Sequence, residues 1–369
     1  MNIDIYIGNC LETLQKMDDQ SVNTCITSPP YWGLRDYNGE EEQLGLEETP
    51  KQFTDNLVKV FREVKRVLKD DGTVWLNLGD SYSSGGRTTT TNQTLRGDKD
   101  YGVIRPKPSK GIKPKDLIGI PWRVALALQA DGWYLRQDII WHKPNPMPES
   151  VRDRCTKAHE YIFLLSKNVK YYFDNEAIKE DAKYAGDNRG ARGDSRRGTK
   201  MNSVSGITPS KRNKRSVWTV TTKPFKGAHF ATFPMDLIEP CVLAGCPEKI
   251  CIDCGKPYKR VIQQPKPLEV KRGRRAGTDD RLIGGVLDKY KRENPPIDLG
   301  LQKQCDCNTK ETKAGTVLDP FGGSGTTAIV ANKHNRNAVM CELNKEYIDI
   351  AKERINNDLG MMANVEIIL

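Results

Sequence analysis

Near the carboxyl end of the chain, an apolar run passes through a glycine-rich turn into a second apolar run, and this feature restricts the fold most. Its residues are Val317-Leu318-Asp319-Pro320-Phe321-Gly322-Gly323-Ser324-Gly325-Thr326-Thr327. Glycine adopts tight dihedral angles and lets the backbone approach a ligand closely, so a strand leading directly into a helix is predicted. Glu342 follows the next apolar run about twenty residues later, where a carboxylate can accept hydrogen bonds from both ribose hydroxyls. The pattern predicts a β–α–β unit with a nucleotide-like ligand, and by itself it fits any Rossmann-like nucleotide site.

Elsewhere the chain alternates short apolar runs with stretches of helical spacing. Apolar runs predict buried strands, and apolar residues that recur every three or four positions predict helices. The predicted strands span residues 3–7, 22–27, 73–78, 133–141, 161–165, 317–318 and 338–340. The predicted helices cover 11–17 and 53–68 and begin near 121, 324 and 345. This alternation predicts an α/β fold in three layers, an open and mostly parallel Rossmann-like sheet of seven strands with helices on both faces.

Composition narrows the class of protein. None of the apolar runs approaches the roughly 20 residues of a membrane span, and the first residues lack the basic and apolar regions of a secretory signal. We therefore expect a cytoplasmic protein with no membrane partner. The formal net charge of +10 is compatible with a polyanionic partner. Ten cysteines without a secretion signal favour metal ligands or free thiols over disulfides.

A second segment near the amino end carries an unusual set of chemical groups. Thr27-Ser28-Pro29-Pro30-Tyr31-Trp32 closes the predicted strand 22–27. It presents a small hydroxyl, carbonyl groups next to prolines that lack N–H donors, and an aromatic face. A proline-rich turn with a packed tyrosine would explain the segment equally well if it stood alone.

Together, the two segments resemble the motifs of the DNA amino-methyltransferases that use S-adenosylmethionine. The string Asp319 to Thr327 is similar to the cofactor motif of that family, and Ser28-Pro29-Pro30-Tyr31 to its catalytic motif. Blocks at 7–10, 68–82, 141–146, 159–163 and 229–234 resemble the family as well. Because the catalytic block precedes the cofactor block, the order is that of the permuted β group.

This resemblance implies S-adenosyl-L-methionine as the cofactor. The turn after Asp319 would bring backbone N–H groups toward the methionine part of that molecule. Asn9 stands where the family usually has an aspartate beside the adenine, and Phe233 would form a wall of the pocket. The cofactor-binding residues implied in this way are Asn9, Phe233, Asp319, Pro320, Phe321, Gly323, Ser324, Gly325, Thr326 and Glu342.

The catalytic residues implied by the resemblance are Ser28, Pro29, Pro30 and Tyr31. The lone pair of an exocyclic amino group is delocalised into the base, which makes the nitrogen a poor nucleophile. Hydrogen bonds to the Ser28 hydroxyl and the Pro29 carbonyl would draw the nitrogen toward a tetrahedral geometry aligned with the methyl group. Tyr31 would stack on the target base, which first leaves the double helix.

Two exocyclic amino groups of DNA bases are compatible with the segment, and we favour N4 of cytosine in duplex DNA. Adenine-specific relatives commonly carry Asp or Asn at the position of Ser28, so N6 of adenine is the alternative. Methylation at carbon 5 of cytosine would need a cysteine nucleophile, and Pro240-Cys241 lies in an apolar helical pattern that indicates packing instead. Remoter alternatives are an RNA or protein-amide methyltransferase, and an inactive DNA-binding zinc protein.

Residues 176–224 interrupt the alternation with a basic insertion. From 183 to 226 the chain has twelve Lys or Arg against two Asp. A solvated loop is the ordinary explanation of such a run, whereas contact with DNA phosphates is the explanation that suits a DNA enzyme. We interpret the insertion as a target-recognition region, with Arg212, Lys214 and Arg215 as DNA-binding residues.

A second interruption, residues 246–310, contains two pairs of cysteines. Cys251 and Cys254 form one pair, and Cys305 and Cys307 form the other. Four thiolates suit a tetrahedral, structural Zn²⁺ that has no open position for catalysis. The second pair is separated by one residue where a standard zinc ribbon has two, so free cysteines are the alternative.

These segments give a domain layout. The catalytic core takes in 1–175, a core helix and pocket wall lie at 225–245, and the cofactor-binding part is 311–369. Double-stranded DNA is the expected partner, and a cognate restriction endonuclease is a second one. The recognition sequence and the oligomeric state are left open, with a homodimer among the options.

Overall fold

The protein is described here from a computed structural model. The structure describes residues 1–33, 43–83, 112–183, 210–222, 233–268, 289–290, 293–360 and 364–368. Its α-helices within these ranges are α1 (Cys10–Lys16), α2 (Pro50–Val67), α3 (Ile120–Ala130), α4 (Met235–Gly245), α5 (Thr326–Lys333) and α6 (Lys345–Leu359).

The strands in the same ranges fall into one large sheet and three small pairs. The large sheet contains β1 (Asn2–Ile7), β2 (Val22–Thr27), β3 (Leu68–Leu78), β4 (Tyr134–His142), β5 (His159–Ser166), β8 (Val217–Thr219), β13 (Thr316–Asp319), β14 (Asn337–Glu342) and β15 (Asn364–Ile368). The small pairs contain β6 (Glu180–Asp181) with β7 (Lys211–Arg212), β9 (Ile250–Cys251) with β12 (Thr312–Lys313), and β10 (Lys259–Gln263) with β11 (Ile297–Gln302).

The large sheet is mostly parallel, as predicted. Its strand order is β15-β1-β14-β13-β2-β3-β5-β4-β8. Only β5 runs against its neighbours in this part of the molecule, pairing antiparallel with both β3 and β4. The carboxyl ends of the other strands therefore meet the amino end of β5 at one edge of the sheet, and we call this the carboxyl edge.

Two edge strands extend the seven that the sequence predicts, because the described sheet has nine. At one edge β15 pairs with β1, from Asn2 with Asn364 to Tyr6 with Ile368. At the other edge β8 pairs with β4, although residues 217–219 lie inside the basic stretch 176–224. A strand of three residues is too short for an alternation of apolar and polar positions to reveal it.

Helices cover both faces of the sheet, which confirms the three-layer α/β fold. On one face α1, α2 and α3 bury a cluster that includes Leu14, Phe53 and Val124. On the other face α4, α5 and α6 bury Leu237, Ile329 and Ile348 with their neighbours. Truncating one such side chain to alanine would cost about 2–5 kcal/mol of folding free energy, because it leaves a cavity.

Local sequence signals explain how α2 forms. Thr49 and Gln52 make a capping box, in which each side chain satisfies the backbone N–H of the other, and Pro50 occupies the first turn. Phe53, Leu57, Val60, Phe61 and Val64 then recur at helical spacing and are buried against the sheet. None of the helices in the described ranges is long and apolar enough to cross a membrane.

Candidate active site

The glycine-rich turn lies at the carboxyl edge, between β13 and α5. Gly322 packs against β14 so closely that a Cβ there would lie 2.4 Å from Cε of Met340. Gly323 has a φ of +50°, in the left-handed region that favours glycine. Its N–H donates to Oε2 of Glu342 over 2.8 Å. The turn is therefore fixed against the end of β14, as the sequence predicts for a ligand-binding loop.

Glu342 ends β14 with a carboxylate held by backbone donors. Oε2 accepts from Gly323 N, and Oε1 accepts from Asn344 N over 2.9 Å. Burial raises the pKa of Glu342 to about 7, and these backbone hydrogen bonds partly oppose the rise. Each carboxylate oxygen can accept more than one hydrogen bond, so the group retains the capacity to receive the two hydroxyls of a ribose.

Asp319 lies behind the turn, and its carboxylate joins three segments. Its side chain accepts from Thr27 Oγ1 and Thr327 Oγ1, each over 2.6 Å, and from Phe321 N over 3.1 Å. The residue is only 2% exposed. Burial raises the pKa of Asp319, and these three hydrogen bonds oppose the rise. The carboxylate thus connects the end of β2, the start of α5 and the turn itself.

The other residues predicted for the cofactor belong to the turn and the first residue of α5, to the residue before α1, or to the segment before α4. Asn9 caps α1 by accepting from Leu11 N over 2.9 Å. It follows Gly8, whose N–H donates to the carbonyl of Glu342 over 3.0 Å, so Asn9 lies close to the end of β14. Phe233 is half-buried just before α4 and packs on the apolar cluster of that face. Pro320, Ser324, Gly325 and Thr326 are buried, and Phe321 is half-buried.

Arg354 braces the turn from α6, and sequence reasoning missed it. Its Nη1 donates to Ser324 O over 3.1 Å, to Ser324 Oγ over 2.7 Å and to Thr326 Oγ1 over 2.7 Å. Burial lowers the pKa of Arg354. Its position on the helix follows an ordinary amphipathic pattern, so the sequence carries no signal that singles this arginine out.

The second predicted segment follows β2 at the same carboxyl edge. Ser28 and Pro30 are half-buried, and Pro29 is buried. Tyr31 is half-buried, with its hydroxyl 2.7 Å from Oε2 of Glu160 and 3.3 Å from Oδ1 of Asn77. The bond between Thr27 and Asp319 ties this segment to the turn, although the two segments stand at opposite ends of the chain.

Glu160, Lys143 and Asn77 form a polar cluster around Tyr31 that the sequence did not identify as part of the site. Glu160 makes an ion pair with Lys143, and the two side chains are 14% and 20% exposed. Asn77 Nδ2 donates to Tyr161 O over 3.0 Å. Each of the three lies in a block that resembles the family, namely 68–82, 141–146 or 159–163, and that resemblance is the only sequence signal that pointed to them.

The model of the DNA methylase family, the N6/N4 methyltransferases, matches residues 22–254 and 306–353. These ranges contain both the segment at Ser28–Tyr31 and the glycine-rich turn. The chain belongs to this family.

Relatives within the methylase family cover nearly the whole chain. The type II methyltransferase M.Cfr9I of Citrobacter freundii is 41% identical over 96% of this chain and 88% of its own length. The type II methyltransferase M.SmaI of Serratia marcescens is 42% identical over 95% of this chain and 90% of its own length. The permuted family resemblance inferred from the motifs is therefore confirmed at the level of the N6/N4 methylases.

Two solved structures share the fold. One is a putative DNA modification methylase from Thermus thermophilus in complex with S-adenosyl-L-methionine, with a TM-score of 0.51, 19% identity and 100% coverage of both chains. The other is the PvuII DNA methyltransferase, described as cytosine-N4-specific, with a TM-score of 0.53, 17% identity and coverage of 99% of this chain and 95% of that one. At this level of identity they support the α/β methyltransferase fold.

Four cysteines cluster in space near the two ends of the interruption in the methylase family match, which covers residues 255–305. Their sulfur atoms, from Cys251, Cys254, Cys305 and Cys307, all lie within 4.8 Å of one another. Gly255 has a φ of +71°, and its N–H donates to Cys251 O over 3.0 Å, which closes the turn around the first pair. Cys246 is buried in the core and lies outside the cluster.

Only part of the predicted DNA-contacting insertion of this methylase belongs to the described structure, namely residues 176–183 and 210–222. Arg212 and Arg215 both donate through Nε to Oε1 of Glu180, over 2.9 and 2.8 Å. Lys214 Nζ lies 5.0 Å from the centre of the Trp218 ring. Trp218 is 6% exposed and packs beside Trp75, so the basic residues are attached to the edge of the sheet.

Proposed function

We propose that this DNA methylase transfers a methyl group from S-adenosyl-L-methionine to the exocyclic N4 of a cytosine that has left the DNA duplex. The observation that carries the proposal is the bond between Thr27 and Asp319, which holds the Ser28–Tyr31 segment against the glycine-rich turn. Methyl transfer requires the donor and the acceptor to be aligned within one site, and this connection places their predicted binding segments side by side.

The residues around the turn fit such a cofactor. Glu342 has lone pairs for two ribose hydroxyls, and Asn9 lies beside it for the adenine end. Apart from the two chain neighbours of Gly323, no residue in the described ranges lies nearer than 4.0 Å to a Cβ built on it, so ligand atoms can approach its backbone. When bound, the cofactor supplies a positively charged sulfonium that carries the methyl group.

The Ser28–Tyr31 segment would prepare the base. Ser28 Oγ and the Pro29 carbonyl accept hydrogen bonds from the exocyclic amine and so direct its lone pair toward the methyl group. Pro30 has no N–H to compete for these acceptors, and its ring restricts the backbone before Tyr31. Tyr31 supplies the face on which the flipped base stacks.

Serine at position 28 supports cytosine over adenine as the target. Adenine N6 is the second candidate, because a hydroxyl and a carboxylate can each accept from an amino group. Digestion of methylated DNA to nucleosides, followed by mass spectrometry, separates the two. We expect N4-methylcytosine, and a methyladenine product without methylcytosine would overturn the choice.

Duplex DNA is the proposed partner, with the basic residues at 210–222 as part of its contact surface. The relatives named type II methyltransferases support a restriction–modification context, in which a cognate endonuclease cuts the unmodified sequence. Methylation-sensitive sequencing of DNA from cells that express the protein would identify the recognition sequence. Resistance of that DNA to an endonuclease of the same sequence would test the partner.

We also propose that the four clustered cysteines bind one structural Zn²⁺. Zinc–sulfur bonds of roughly 2.3 Å place the four thiolates of a tetrahedral site somewhat less than 4 Å apart, which the spacing of these sulfurs accommodates with small adjustments. The metal would join the turn after β9 to the segment after β11, and would therefore close the long insertion on itself.

A further inference from the structure

Glu160 places a carboxylate against the hydroxyl of Tyr31, at the amino end of the reversed strand β5. Tyr31 Oη donates to Glu160 Oε2 over 2.7 Å. Only 14% of the Glu160 side chain is exposed. A hydrogen bond to an ionised group is roughly twice as strong as one between neutral groups. The tip of the tyrosine side chain is therefore anchored to the sheet.

The carboxylate of Glu160 is itself held in place. Oε1 makes the ion pair with Lys143, whose Nζ lies 4.2 Å from the centre of the Trp141 ring. Oε2, which accepts from Tyr31, also lies 3.4 Å from Nδ2 of Asn77. Because the two oxygens have different partners, one just after β4 and the others on β3 and after β2, the carboxylate cannot rotate without breaking at least one contact.

The ring of Tyr31 lies directly on the backbone of Gly79. A Cβ at position 79 would be 2.4 Å from Cε2 of the ring and 3.1 Å from Cδ2. Any larger residue would displace the ring, so the ring can lie here only because position 79 has no side chain. A second constraint on the ring is the bond from its hydroxyl to Glu160.

We propose that Glu160 is a positioning residue, which acts through Tyr31 Oη to set the angle of the aromatic ring on which the target base stacks. This proposal rests on the proposed function, since it assumes that Tyr31 contacts the base. A purely structural ion pair between Glu160 and Lys143 would stabilise the sheet without affecting the Tyr31 hydroxyl.

A double-mutant cycle distinguishes the two roles. Wild type, Tyr31→Phe, Glu160→Gln and the double variant are compared on a duplex that carries the recognition sequence found by methylation mapping. We expect each single change to lower kcat roughly tenfold, the effect of losing one hydrogen bond to a charged group. The double variant is expected to be no slower than the slower single variant, because both changes remove the same contact. The Kd for S-adenosylmethionine is expected to stay the same.

Asp174→Asn provides a matched control. Asp174 is also a buried carboxylate, 8% exposed, in an ion pair with Arg260, and it lies beyond the carboxyl end of β5. Loss of this ion pair should lower the melting temperature of the protein and leave kcat unchanged. Multiplicative losses in the double variant, or an unchanged kcat in Glu160→Gln, would overturn the role of Glu160. A wild-type protein that methylates no DNA would contradict the proposed function itself, and the role of Tyr31 with it.

Discussion

Thr27 donates its hydroxyl to Asp319 over 2.6 Å, across 292 positions of the chain. Thr27 immediately precedes Ser28, and Asp319 immediately precedes the glycine-rich turn. Thr327 Oγ1 binds the other oxygen of the same carboxylate, so one buried group holds the two predicted halves of the site together. A fully satisfied buried network of this kind favours a single arrangement of its members.

Thr27→Val is expected to disturb the site as well as the fold. Loss of the donor to a buried carboxylate would cost about 1–3 kcal/mol of folding free energy. It should also weaken S-adenosylmethionine binding and slow methyl transfer, because the turn and Ser28 lose their connection. Thr24→Val is the control, since the Thr24 hydroxyl is equally buried on β2 but donates to Thr73 O. Calorimetry showing equal cofactor affinity in both variants would contradict the connecting role of Asp319.

Ser28→Ala should separate cofactor binding from chemistry. We expect nearly normal affinity for S-adenosylmethionine and a rise in the barrier to transfer of about 2–4 kcal/mol, the usual effect of losing a preorganised hydrogen bond in a transition state. Ser166→Ala removes a buried hydroxyl that donates to Asn168 O at the other end of β5, and should leave turnover unchanged. Single-turnover rates of the two variants measure these effects. Normal turnover in Ser28→Ala would leave the Pro29 carbonyl as the main acceptor.

The raised pKa of Glu342 predicts that the stability of the cofactor-free protein depends on pH. Burial raises its pKa from 4.5 to about 7, so between these values the folded state binds more protons than the unfolded state. The contribution of this group to stability is therefore fully present below pH 4.5 and is lost as the pH rises through about 7, on the order of 3 kcal/mol.

Glu342→Gln removes that dependence and tests it. Unfolding in urea at several pH values measures the free energy of unfolding. The difference in this free energy between wild type and Glu342→Gln should change between pH 4.5 and about 7, whereas the exposed Glu346→Gln should have the same pH profile as wild type. We also expect S-adenosylmethionine affinity to rise with pH in wild type, because the ionised carboxylate is the stronger acceptor. Parallel stability profiles for wild type and Glu342→Gln would refute the assignment.

Purified protein should contain about one zinc per chain, because four thiolates complete one tetrahedral site. Cys254→Ser is expected to lower the zinc content and to destabilise residues 246–310, with only an indirect effect on cofactor binding. Cys155→Ser alters another exposed cysteine, one outside the cluster, and should retain the metal. Elemental analysis that finds no metal in freshly purified, reduced wild-type protein would exclude the zinc site.

Replacement of Arg212, Lys214 and Arg215 by alanine should weaken DNA binding and flatten its salt dependence. Each phosphate contact that is lost reduces the number of counterions released. Glu180→Gln should do the opposite, because it removes the carboxylate that both arginines share. The control is replacement of Lys16, Lys51 and Lys59 by alanine, which removes the same net charge from exposed positions on α1 and α2. Equal salt slopes for the two triple variants would assign the basic segment to an ordinary solvated surface.

The sequence predicts the elements that depend on local patterns. The alternation of apolar runs with helical spacing, and the glycines of the turn at 322–325, predict the three-layer fold and the edge at which the site lies. The family resemblance is confirmed, while the individual roles of Ser28, Tyr31 and Glu342 stay predictions. The strand predicted at 73–78 begins earlier than its apolar run, because α2 ends at Val67 and residues 68–72 already belong to β3.

Other features depend on tertiary contacts that a single sequence does not contain. Arg354 reaches the turn from α6, and Glu160 reaches Tyr31 from a neighbouring strand, so neither is visible in local periodicity. Arg212 and Arg215 look like unpaired surface charge in the sequence, but Glu180 lies beside them in space. Packing and long-range pairing, which sequence spacing does not encode, determine these contacts.

The common edge of the parallel strands makes the site independent of the path that the chain takes between them. Residues 255–305 fall outside the family match, and yet β13 pairs with β2 in the middle of the sheet. Doubling the length of a flexible connection costs only about 0.6 kcal/mol in closure entropy, so such a segment can grow or be exchanged with little penalty. The connecting segments can therefore change in length and sequence while the end of β2 and the glycine-rich turn keep their places beside each other at the carboxyl edge.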